Sequence, residues 1–261
     1  MDIQEYFNKM KNVEWKLLEF LDHEDNEEEN YENFLKIIND ENIRTNQYDF
    51  KIILYLINEI SINHYRLRNF FDKIEQILKE ITKEIKQFYS NDEIYKIFNA
   101  SKRILLFLIE EKVITINQNI YKEMMTKKYK KMQYPEYFSF EIQTFIGEEE
   151  ENDEKYYYSS SSSDDKEESN EDYLSSSSDE EEEDSSSSNL YEKIQEILKE
   201  NFDEFNEKRK KGENDNYLCE IIQIDNIDEF ITYVNQNDYP LNSFVEKSIF
   251  ETNEFLLKQK E

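Results

Sequence analysis

The chain has 261 residues, 61 acidic and 32 basic, for a net charge of -29; a field of that sign repels phosphate backbones and anionic membrane surfaces and argues against nucleic acid as a partner. Apolar residues make up 37 %, with 18 Phe and 19 Tyr, enough to fill a core once the acidic stretches are set aside. Only 2 Gly and 2 Pro leave few devices for tight β-hairpins, whereas helices can be bounded by Asn, Asp and Ser, so the expected class is all-α.

The opening MDIQEYFNKMKN has no basic flank followed by an apolar core and does not read as a secretory signal. From Met1 to Ile146 apolar residues recur at helical spacing, as in Phe50, Ile53, Leu54, Ile57 and Ile60, then Phe70, Ile74, Ile77, Leu78, Ile81, Ile85 and Phe88. Asp22 to Glu29 (DHEDNEEE) lacks the glycine turn and alternating ligands of a calcium loop and reads as a solvated helix boundary. Ser90 and Glu93 form a capping box for a helix through Phe98, and a second helix follows in SKRILLFLIEEKV. Its apolar run Ile104 to Ile109 is far below the roughly 18 residues of a membrane span. Asn117 opens NQNIYKEMMTKKYKKM, and Pro135 is placed for the first turn of a closing helix PEYFSFEIQTFI, for about seven helices in this half.

Gly147 marks a break. Residues 147–188 are dominated by Glu, Asp and Ser, cannot bury enough to offset the entropy of ordering, and are expected to be a disordered linker. Within it Ser161, Ser162, Ser169, Ser176, Ser177 and Ser178 each have an acidic residue three positions on, the pattern read by acidophilic kinases, which makes them candidate phosphorylation sites. Asn189 then caps a helix with Leu190, Ile194, Ile197, Leu198, Phe202 and Phe205 on one face, ending in KRKK before Gly212. A helical pair, NYLCEIIQ and IDEFITYVNQ, follows with the polar turn IDN between its helices.

Two basic clusters stand out, Lys127, Lys128, Lys130 and Lys131, and the run Lys208 to Lys211. The second resembles a nuclear-import signal, yet both lie near predicted helix C-termini, where cations complement the dipole. Cys219 is the sole cysteine, so no intrachain disulfide can form; beside Leu218 and Ile222 it reads as a packed small hydrophobe rather than a nucleophile. His23 and His64 are too few and too far apart for a ligand set, and two glycines make no phosphate-cradling loop. The sequence therefore nominates no catalytic, cofactor-binding or metal residue.

The stretches ILYLINEISINHYRLRNFFDKIEQIL, NDEIYKIFNASKRILLFLIEEKVIT, YFSFEIQTFI, YLCEIIQIDNIDEFITYVNQ and KSIFETNEFLL together resemble the amino-terminal helical domain of unknown function that precedes the repeats in protist ankyrin-repeat proteins. SIFETN is the most specific of them. The resemblance implies helical bundles or ankyrin-like helical hairpins, with repeats of about 33 residues following in the family. Here the chain is expected to end before them, leaving Ile249, Phe250, Phe255, Leu256 and Leu257 without the next repeat to pack on, so that the tail after Tyr239 frays or takes a cover from another chain.

These readings give two helical modules, 1–146 and 189–261, the second resembling the segment before the repeats, joined by the 147–188 linker. The expected function is a non-enzymatic intracellular interaction or scaffold protein with unknown protein partners, cytoplasmic, with a nuclear location as the alternative. An acidic chaperone or escort that binds basic proteins through the Ser/Glu-rich tract is the other function class.

Overall fold

The computed structural model describes residues 2–23, 25–63, 69–147, 184–223, 225–240 and 248–252. Among these residues every regular element is a helix, as the composition implies. The chain divides into two compact units, Met1–Thr115 with Lys208–Glu261, and Ile116–Glu207. The six candidate serines and residues 148–183 of the linker lie outside the described residues.

The first unit begins with α1 (Ile3–Asp22), α2 (Glu27–Asp40), a 3-10 turn at Ile43–Thr45 and α3 (Gln47–Asn63). It continues through α4 (Phe70–Phe88), α5 (Asn91–Phe98) and α6 (Lys102–Glu110). The periodic positions of α3 and α4 face inward: Phe50, Ile53, Leu54, Ile57, Ile74, Ile77, Leu78, Ile81 and Ile85 are buried, each removing about 1.5–3 kcal/mol of apolar surface from water. Lys73 on α4 is buried too. Its ammonium donates to the carbonyls of Phe20 (3.0 Å) and His23 (2.9 Å), satisfying acceptors that the end of α1 leaves open. Glu27, Glu28 and Glu29 fall in the first turn of α2, where the dipole favours them, which accounts for the acidic run as a helix boundary. At the start of α3, Asp49 accepts from the Tyr6 hydroxyl (2.8 Å) and the Lys9 ammonium (3.0 Å), tying α1 to α3.

The Ser90–Glu93 capping box forms as the spacing predicts, with the Ser90 amide donating to Glu93 at 2.9 Å. Ser101 caps α6 by accepting from the Ile104 amide (3.4 Å). Scarce glycine is replaced at left-handed positions by short polar residues, Asn26, Asn42, Asn69, Asp225 and Asp238, whose side chains tolerate positive φ. Lys112 and Gln133 take the same conformation.

The second unit contains α7 (Gln118–Met124), α8 (Lys127–Lys131), α9 (Tyr134–Tyr137), α10 (139–147), α11 (Asp184–Ile197) and the first part of α12 (Phe202–Lys211). Three helices expected as continuous are each divided. Thr126 leaves the helical region and donates its hydroxyl to the Glu123 carbonyl (2.9 Å), so the 127–131 lysines form a short helix of their own rather than the end of a longer one. The closing helix is interrupted at Phe138. Asn201 accepts from the Asp203 amide (2.9 Å), a local bond that starts α12 afresh and separates it from α11. The start of α11 at Asp184 rather than Asn189 makes Ser185 to Ser188 helical. Ring contacts fill this unit, with Tyr129–Tyr134 and Tyr137–Phe138 centroids 4.9 Å apart and Phe140 4.9 Å from Phe202 and 5.3 Å from Phe205.

Candidate functional site

In the first unit the C-terminal part of the chain, α13 (Tyr217–Gln223) and α14 (Ile227–Gln236), is bracketed by two segments that lock together. Gly212 ends α12 in the left-handed region at φ 67°, and its carbonyl accepts from the Thr252 amide (3.2 Å) and hydroxyl (2.9 Å). From α6, Lys102 donates to the Ile249 carbonyl and Arg103 to the Lys210 carbonyl, both at 2.9 Å. Arg103 also pairs with Glu75, and Ser248 donates to Asp215 at 2.7 Å. Lys102, Arg103, Arg209 and Glu251 are all buried in this seam. Ions removed from water cost several kcal/mol each unless paired, so such a seam has few alternative arrangements. Burial pushes the Glu75 carboxyl above its ordinary range, against the opposing pull of the Arg103 guanidinium.

The hairpin carried by this seam is built locally. Asn226 caps α14, accepting from the Glu229 amide (3.2 Å) and donating to its carboxylate (2.6 Å). The rings of Tyr217 and Tyr233 meet edge to face at 5.1 Å, and the Tyr217 hydroxyl donates to Glu229, a bond that with burial raises the phenol's pKa. α13 turns Leu218 and Ile221 inward. α14 does not bury a single residue fully, although Ile227, Phe230, Ile231 and Val234 follow the i, i+3, i+4, i+7 spacing of a core-facing stripe. Ile227 is 63 % exposed, Ile231 51 %, and Ile222 at the end of α13 57 %. Large aliphatic side chains left in water along one helical face mark a surface that gains by being covered.

The charge on the stretch of chain that carries this face is of one sign. Between Lys211 and Lys247 the chain has eight acidic residues and no lysine or arginine. Glu220, Asp225, Asp228 and Asp238 are exposed.

Cys219, expected as a packed residue, is half-buried; burial first, then the nearby Glu251 and Asp215 carboxylates, push its thiol up. Its expected neighbour Ile222 faces solvent, and Ile221 is the buried residue of that turn, a correction that follows from which side of α13 the core occupies. The 208–211 cations are engaged within the fold: Lys208 pairs with Asp215 (3.7 Å), Lys210 with Glu110 (3.1 Å) and Lys211 with Glu213 (3.5 Å), while Arg209 is wholly buried. Phe250, expected to await a following repeat, is buried within this unit, with the Lys208 ammonium 5.7 Å from its ring centre. His64 and Phe255 to Leu257 lie outside the described residues, as do the six candidate serines. The exposed stripe of α14 was not singled out from sequence; its signal was the helical spacing of Ile227 to Val234 inside a stretch free of basic residues.

Among the described residues no three or more His, Cys, Asp or Glu gather as metal ligands, and no helix is long and apolar enough to cross a membrane. No protein-family model, curated protein or solved structure matches the chain.

Proposed function

We propose that this chain is a non-enzymatic, intracellular interaction or scaffold protein that engages other proteins through the α13–α14 hairpin. The observation that carries this reading is α14, an amphipathic helix whose apolar stripe stays in contact with water. Helix-in-groove recognition pairs one exposed apolar helical face with another apolar surface. Two of the buried ionisable groups nearby, Lys102 and Arg103, are committed to backbone carbonyls and to Glu75, which supports a structural rather than a chemical role for them.

A photo-crosslinking residue at Ile231, compared with one at the buried Ile221, tests the reading. Adducts with one defined protein from Ile231, lost when Ile227→Gln and Ile231→Gln are combined, are expected. Adducts that persist in that double variant but vanish on deletion of 148–183 would place binding in the acidic tract, as the escort reading requires.

A further inference from the structure

The α13–α14 face selects its partner by charge as well as by shape. Of the acids between Lys211 and Lys247, Asp215 and Glu213 are paired with Lys208 and Lys211, and Glu229 is held by Tyr217 and Asn226. Glu220, Asp225, Asp228 and Asp238 remain exposed around the hairpin. On α14, Asp228 flanks the stripe of Ile227 and Ile231, and Asp225 and Asp238 lie just beyond its two ends. Resting on the docking reading above, we propose that the occupant is an amphipathic helix of another protein whose apolar anchors are flanked by lysines or arginines.

The stripe's period fixes the first half of that statement. Ridges at i, i+3, i+4 and i+7 interlock with the grooves of another helix, and no strand edge exists among the described residues to extend. Charge fixes the second half. Acids bordering an apolar patch favour a partner that brings cations to its rim, raising the association rate and penalising acidic competitors. A second copy of the chain is disfavoured on the same ground, since a two-fold contact would oppose one acidic rim to another.

The test uses the full chain and fluorescence anisotropy with labelled peptides of about five helical turns. They share one Leu/Ile face and differ in polar flanks: Lys/Arg, Gln/Ser, or Glu. A scrambled Lys/Arg peptide of identical charge has no apolar face. The Lys/Arg peptide is expected to bind about tenfold or more tightly than the Gln/Ser one at low salt. The difference should shrink as salt rises from about 0.01 M to about 1 M, which shortens the screening length from about 30 Å to about 3 Å. Combining Ile227→Gln with Ile231→Gln should weaken the Lys/Arg peptide about tenfold and leave the scrambled one unchanged. Combining Asp225→Asn, Asp228→Asn and Asp238→Asn should erase the preference for basic flanks. These surface variants are expected to keep their helices, which circular dichroism checks.

Equal binding of the Lys/Arg and Gln/Ser peptides, with sensitivity to the isoleucine changes, would overturn the basic partner and leave the docking face standing. Binding indifferent to the isoleucines, or shared by the scrambled peptide, would overturn both. Concentration-dependent dimerisation abolished by the isoleucine changes, with no peptide competing, would assign the face to a second copy and overturn the inference.

Discussion

Replacing Gly212 by alanine strikes the seam at its tightest point. A Cβ placed there lies 3.0 Å from the Thr252 hydroxyl oxygen, 3.4 Å from its methyl carbon and 3.7 Å from Phe71, and the backbone sits at φ +67°. The left-handed conformation alone costs a residue bearing a Cβ about 1–2 kcal/mol. Thr252 must also give way, yet it holds the Gly212 carbonyl through its amide and hydroxyl, and weakening those bonds adds about 0.5–1.5 kcal/mol each. The expected total is about 2–5 kcal/mol, read as a lower urea midpoint by circular dichroism, with hydrogen exchange reporting lost protection over α13 and α14. In a Thr252→Ala background both close contacts disappear and only ordinary contact with Phe71 remains, so Gly212→Ala should there cost only the backbone strain. Gly147→Ala, with no atom within 4 Å of the added Cβ, should change stability by less than about 1 kcal/mol. A Gly212→Ala cost below about 0.5 kcal/mol, or one identical in both Thr252 backgrounds, would refute the seam as described.

Lys73→Met should destabilise the first unit by about 2 kcal/mol, because two charge-assisted bonds to the end of α1 are lost while the buried stem is kept; an unchanged urea midpoint would show that the ammonium contributes nothing. Tyr89 and Tyr6 are both pushed up to about 12, chiefly by burial, and donate to the Gln47 carbonyl and to Asp49. The fold therefore keeps protons that the unfolded chain releases from about pH 10 upward, and stability should fall with rising pH between 10 and 12. Tyr6→Phe and Tyr89→Phe together should flatten that slope in melting temperatures taken across the window; an unaltered slope would contradict the assignment. Acidophilic kinase should modify Ser161, Ser162, Ser169, Ser176, Ser177 and Ser178 before Ser185 to Ser188, which lack an acid three residues on and lie in α11, with phosphopeptide mapping giving the order.

Helical class, the faces of α3 and α4, and the caps at Ser90, Ser101, Asn117 and Asn226 were set by sequence alone. Each depends on residues within one or two turns of each other, and that period and those side-chain-to-backbone bonds exist in any helix of this sequence. The use of asparagine and aspartate for left-handed positions follows equally from the shortage of glycine. The breaks at Thr126, Phe138 and Asn201 were less legible, because apolar spacing continues across them while a local bond or packing turns the chain. What only tertiary structure decided is which helical stripes find a cover. Ile74 and Ile231 look alike in their local patterns, but the first is buried within its unit, whereas the second stays 51 % exposed. The burial of Lys73, Lys102, Arg103 and Arg209 is of the same kind: a cation in an amphipathic helix reads as solvated until residues far along the chain bring the carbonyls and carboxylates that replace water. Those partners are 53, 147 and 107 residues away for Lys73, Lys102 and Arg103, beyond the reach of any local pattern.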